Sequence, residues 1–144
     1  MSIPPRLSWP MRLSLTLRSI VLPDLTRIAP LESLLRWYTP RLVGSAWAAL
    51  SAEEILAAID EHLAGCRRMR GRRCLRRGLL AFYFLRHGGY PAVLHIGAFV
   101  RPQGAALTHC WNSLGAMVDD PPRERCIPLL EWRGVSGLPR EVAA

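Results

Sequence analysis

The period of the apolar positions changes along the chain, and the changes mark the elements. Residues 1 to about 30 are broken by prolines at 4, 5, 10, 23 and 30 and read as irregular. Within them Leu13, Leu15 and Leu17 alternate with Arg12, Ser14, Thr16 and Arg18. That is the period of a half-buried strand, and it predicts a short one there. Leu31, Leu34, Leu35 and Tyr38 then share one face of a helix that ends before Pro40. Ser51-Ala-Glu-Glu54 is a capping box, and Ile55, Ala58, Ile59, His62, Leu63 and Cys66 follow at helical spacing. A basic connection, 66–73, leads to a second helix from Cys74 to about Arg86, stopped by Gly88-Gly89. Leu75, Leu79, Phe82 and Leu85 line one face, while Ala81 and Phe84 make its second half apolar nearly all round, as in a helix buried on several sides.

Beyond Tyr90-Pro91 the period shortens. Residues 92–100 are rich in β-branched and aromatic side chains and predict a strand. Residues 106–113 and 116–120 predict two more around a tight turn at Leu114-Gly115, ended by Pro121-Pro122. Ile127, Leu129, Leu130 and Trp132 provide one further packing segment before a Gly/Pro-rich end. Helices first, then a buried helix leading into an antiparallel sheet, is an α+β order.

Composition narrows the class. At 144 residues, half of them hydrophobic and 21% charged, the chain has enough apolar content for one packed domain and too much for disorder. The longest apolar run, Leu79 to Leu85, is far short of a bilayer span, so a membrane role is not expected. The net charge is +8, and all 19 basic residues are arginines. Arg67, Arg68, Arg70, Arg72, Arg73, Arg76 and Arg77 cluster just before and within the start of the second helix. Such a run suits an acidic peptide or partner, or a phosphate backbone. The aromatic residues lie in the apolar helix and strands instead of among the arginines, which argues against a single-strand nucleic-acid platform. Four cysteines (Cys66, Cys74, Cys110, Cys126) lack a paired CxxC spacing, and residues 1–22 lack the apolar stretch and cleavage site of a secretion signal. A cytoplasmic protein with reduced thiols is expected.

Candidate chemistry centres on Cys74. A thiol at a helix start, among Arg72, Arg73, Arg76 and Arg77, is expected to have its pKa lowered toward the nucleophilic thiolate. His109 lies on a strand 35 residues on (109 − 74). If Leu114-Gly115 form the turn, His109 pairs with Asp120, which can hold one imidazole nitrogen while the other faces a thiol. One extra turn residue would put Asp119 there instead. Nucleophile, base and orienter is the logic of a cysteine-protease triad. Trp111 shares the face of His109 and either shields the site or packs the hairpin. Cys110 should point to the opposite face. Cys66, Cys110 and Cys126 read as structural, His62 and His95 as packed, and His87 as a charge favoured at a helix C-terminus. A zinc site from Cys74, His95, His109 and Cys110 lacks zinc-like ligand spacing, so no metal is expected.

The local contexts are more specific than the spacing. Leu50-Ser-Ala-Glu-Glu-Ile-Leu, Cys74-Leu-Arg-Arg, Leu85-Arg86-His87-Gly88-Gly89, Ala92-Val-Leu-His-Ile-Gly97, His109-Cys-Trp111 and Gly115 with Asp119-Asp120 run in order through residues 49–130. Together they resemble the lasso peptide biosynthesis leader peptidases, transglutaminase-like, papain-type cysteine proteases, in their protease-only form. The usual Ala after His is Cys110 here, and the Val-Glu after Trp is Asn112-Ser113. The resemblance implies a papain/transglutaminase-like core over 49–144, with 1–48 as an N-terminal arm or helical docking region. It implies that Cys74 attacks a leader–core bond of a ribosomally made precursor and that His109 moves the proton. Asp120, or Asp119, would orient His109, and the Cys74 amide would serve as an oxyanion donor. Partners would be the precursor peptide, a separate leader-recognition protein and a lasso cyclase, with no cofactor and no nucleic acid. Trp111, Arg72 and Arg73 are candidate substrate or partner contacts. An amide-transfer enzyme with the same three residues, and a non-catalytic basic adaptor for peptide or nucleic acid, are the alternatives.

Overall fold

The computed structural model describes residues 5–70, 73–100, 102, 104, 106–122, 125–134 and 140–141. The helices are α1 (Trp9–Ile28), α2 (Leu31–Trp37), α3 (Ser45–Ala48), α4 (Ala52–Gly65) and α5 (Arg73–His87). A single 3-10 turn at Arg67–Met69 joins α4 to α5. The strands follow: β1 (Val93–Val100), β2 (Ala106–Leu114), β3 (Met117–Asp119), β4 (Ile127–Trp132) and β5 (Arg140–Glu141). They form one sheet in the order β3-β2-β1-β4-β5, antiparallel at every pairing. The α+β prediction holds, and the helix bearing Cys74 packs on the sheet.

Several elements form as their residues dictate. Ser51 caps α4: its hydroxyl accepts from the Glu54 amide while the Glu54 carboxylate accepts from the Ser51 amide. Helix α5 is buried from Gly78 to Leu85, as its all-round apolar character requires. It lies between α1 and α4 on one side and the sheet on the other. One apolar cluster joins Met11, Leu15 and Leu22 of α1, Ile55 and Ile59 of α4, Leu79 to Leu85 of α5, and Leu94 and Cys110 of the sheet.

Two expectations need correcting. Residues 12–18 are not a strand; they lie within α1. Pro10 sits in the first turn, where a missing amide costs nothing. The buried positions Met11, Leu15, Ser19, Leu22 and Thr26 keep a helical period, and Leu13 and Leu17 face out. Pro23 lies inside the helix without ending it. Second, the β2–β3 turn is Gly115-Ala116. The pairs are Leu114 with Met117, Ser113 with Val118 and Asn112 with Asp119, two residues along from the expected register. Leu114 stays in the strand because it packs on the core, and Gly115 takes the positive φ (59°) of the first turn position.

Candidate active site

The site is built where α5 meets β2, and glycine sets the approach. A Cβ on Gly78 would lie 2.4 Å from the Cys110 sulfur. The Asn112 side-chain amide donates to the Gly78 carbonyl at 3.1 Å. With no side chain in the way, helix backbone and strand come together, and Cys74, one turn earlier on α5, is brought against β2. Its sulfur accepts from the Cys110 amide at 2.9 Å and lies 3.2 Å from the Cys110 carbonyl. Cys110 itself is buried against α5, opposite to His109, as strand alternation predicts.

His109 Nδ1 stands 3.0 Å from Cys74 Sγ. Its Nε2 lies 2.9 Å from the main-chain carbonyl oxygen of Asp120, and 3.9 Å from the nearer carboxylate oxygen. A carbonyl only accepts, so Nε2 carries the proton and Nδ1 presents its lone pair to the thiol. The structure therefore brings Cys74, His109 and Asp120 together, but the contact to His109 runs through the Asp120 main chain. Asp120 reaches His109 without ladder pairing. The shifted register ends β3 at Asp119, and Asp120 turns back in a left-handed conformation (φ 53°). Aspartate tolerates that region better than most residues.

Asp119, the alternative, is placed elsewhere. It opposes Asn112 and forms a two-pronged ion pair with Arg77 at 2.8 and 2.9 Å. Arg77 also grips Asp60 of α4 at 2.7 and 2.9 Å. Burial works against the Arg77 charge, yet the two carboxylates outweigh it and hold its pKa above the usual value.

The arginines do not activate the thiol as expected. Burial pushes the Cys74 pKa up, the Cys110 amide pulls it down, the Asp120 charge raises it, and only then does Arg77 lower it, for a net rise. Arg76 is buried, with its guanidinium directed to α1 and bonded to Thr26, Pro23 and the Arg68 carbonyl. Arg68 pairs with Asp24 of α1. Arg76 and Arg77 thus tie α1, α4 and β3 to α5, and Arg68 ties the turn before α5 to α1.

Trp111 is half-buried and stacks between two imidazoles: His95 at 5.3 Å and His109 at 5.8 Å between centroids. Phe99 packs on His109 from another side at 5.9 Å. His95 is held by the Ser113 hydroxyl at 2.7 Å, and burial lowers its pKa. Arg73 is exposed at the start of α5, and Arg72 lies outside the described residues. One sulfur, nitrogen and oxygen from Cys74, His109 and Asp120 fall within 4.8 Å of one another, close enough to meet a metal ion. In the arrangement observed, Nδ1 faces the sulfur and Nε2 is bonded to a carbonyl, which is a proton path.

A cavity of about 520 Å³ opens beside Cys74. Its far wall is the α1–α2 junction, with Ala29, Leu31 and Leu34. The sequence reading did not connect these residues to the site, because nothing local marks a helix that packs across it.

Among protein-family models, one described as the transglutaminase-like superfamily matches residues 20–128. A search of the curated proteins finds no match, and neither does a search of the solved structures.

Proposed function

The chain belongs to the transglutaminase-like superfamily, and from that premise we propose that it is a cysteine peptidase that removes the leader from a ribosomally made lasso precursor. The Cys74–His109 contact at 3.0 Å, with Nε2 tied back to Asp120, carries this reading. Nδ1 takes the Cys74 proton as the sulfur attacks the leader–core carbonyl. The Cys74 amide, in the first turn of α5, offers a hydrogen bond to the developing oxyanion. His109 then gives its proton to the leaving amine, and water hydrolyses the thioester. The finer assignment to lasso precursors is supported by the motif contexts around Cys74, His109 and Gly115. In it a leader-recognition protein delivers the precursor, a cyclase closes the freed core, and the work is cytoplasmic. Among the described residues, no helix is long and apolar enough to cross a membrane.

The superfamily match also favours the amide-transfer reading, since an amine in place of water would resolve the same thioester. The test is mass spectrometry of a precursor encoded beside this gene, incubated with the leader-recognition protein and either wild type or Cys74→Ala. Cleavage at one bond by wild type alone is expected, with Cys74→Ala slower by at least about a thousandfold. A product joined to an added amine assigns transfer. No cleavage, with both proteins shown to bind the precursor, overturns the enzyme in favour of the adaptor.

A further inference from the structure

The three polar residues do not account for the cavity beside Cys74. Five elements line it: the end of α1 and the start of α2, the first turn of α5, and β1 with β2. Ala29, Leu31, Leu34, Leu75 and Ile96 give it an aliphatic side, Thr26, Thr108 and Arg73 add polar groups, and Cys74, His109 and Cys110 complete the lining. At about 520 Å³ it falls in the range of small-ligand sites, about 300–1,000 Å³, and holds a large side chain with its own backbone. Any group seated there lies against the nucleophile.

We propose that this cavity is the subsite for a bulky aliphatic side chain in the acyl segment of the peptide, and that Leu31 of α2 limits its size. The proposal rests on the peptidase reading. During reaction the acyl segment stays bonded to Cys74 through both half-reactions, whereas the amine segment leaves after the first. A pocket walled by the nucleophile therefore acts on the acyl segment throughout. Leu34 is buried and belongs to the core, while Leu31, 36% exposed, lines the cavity at its solvent-accessible edge, so a larger residue there encroaches on the cavity. Selectivity on this account is contributed by residues 26–34, and reactivity by residues 74–120.

The test uses covalent probes, so it does not depend on knowing the precursor. Acetyl-dipeptidyl chloromethyl ketones carrying Gly-Gly, Leu-Gly or Gly-Leu alkylate a reactive cysteine with loss of chloride. Intact-protein mass spectrometry follows the labelling, and Cys74→Ala identifies the site. Each rate is divided by the iodoacetamide rate of the same protein, which reports thiol reactivity without using the pocket. Leucine at one of the two positions should accelerate labelling of wild type about tenfold or more over Gly-Gly. Leu31→Trp should bring that ratio close to one, and Ala29→Leu, which fills the same space from α1, should reduce it as well. Equal rates for all probes on wild type overturn the subsite, as does a leucine preference that survives both substitutions. Failure of the peptidase reading shows differently, as a bound precursor that wild type leaves uncleaved.

Discussion

Helices α1 and α5 are both long, and both contribute to one apolar cluster, yet they are built on different terms. Helix α5 is enclosed from Gly78 to Leu85, with its partners fixed on two sides. Helix α1 buries a single stripe and leaves Leu13, Leu17, Ile20 and Val21 between 40 and 53% exposed. The stripe includes Ser19 and Thr26, whose hydroxyls donate to the Leu15 and Pro23 carbonyls of the same helix at 2.7 and 3.0 Å. Ser19 is satisfied within its own helix, and Thr26 also accepts from Arg76 of α5 at 3.1 Å, so both hydroxyls can be buried. The comparison teaches that in this chain an apolar residue is a poor guide to burial in the N-terminal helix and a good one in the helix that bears Cys74.

The sharpest way to break that contrast lies within α1 itself. Leu15→Ala should cost about 3 kcal/mol of unfolding free energy, because Leu15 is fully enclosed, while Leu17→Ala should change it by less than about 0.5 kcal/mol. Urea melts of the two variants measure both, and similar losses would mean that the outer face of α1 is covered in solution. Next in size is Gly78→Ala. Alanine gains about 1 kcal/mol of helix propensity, but its Cβ meets the Cys110 sulfur and must push α5 from β2. A shift of order 1 Å between Cys74 and His109 should lower kcat/KM about a hundredfold. Adding Cys110→Ala removes the obstructing sulfur and should restore most of that loss. A double variant as slow as Gly78→Ala would show that the contact does not set the site. The smallest effect is expected at Asp120. Asparagine keeps both the left-handed preference and the carbonyl, so Asp120→Asn should retain kcat/KM within about threefold, against losses near ten thousandfold where a carboxylate orients the histidine. A loss of the larger size would assign the orienting role to the Asp120 side chain after all.

The same contrast explains what the sequence revealed. Helices α4 and α5 were legible because each carries its own signal: a capping box at Ser51, and an unbroken apolar run closed by Gly88-Gly89. Cys74 and His109 could be picked as partners because a helix start and a strand give each a fixed position. Helix α1 was misread because Leu13, Leu15 and Leu17 happen to alternate, while two of the positions it buries are hydroxyl residues. Pro23 looked like a stop, although a proline inside a helix that is packed elsewhere does not end it. The hairpin register missed by two residues because Leu114 was spent on the turn when packing holds it in the strand. An even shift keeps each side chain on its face, so Cys110 and His109 stayed on opposite sides as expected. Asp120 was named for its carboxylate, and a main-chain carbonyl turned back by a positive φ leaves no mark that spacing can show. The arginines were read as a field around the thiol because sequence gives their number near Cys74 but not the carboxylates and carbonyls that occupy them.

The bare backbone at Gly78 also bears on how the site assembles. Cys74 and His109 are far apart in sequence, yet they are joined by consecutive elements, α5, β1 and β2, with no intervening segment from elsewhere in the chain. Docking one helix on the hairpin that follows it closes the contact in a single step of modest loop length. The amides of 78–85 and 108–112 should therefore exchange with solvent as one cooperative unit, more slowly than those of α1, when followed by hydrogen exchange. In such a unit Cys74 and His109 are lost together or not at all, and local opening near the N-terminus would leave their contact intact.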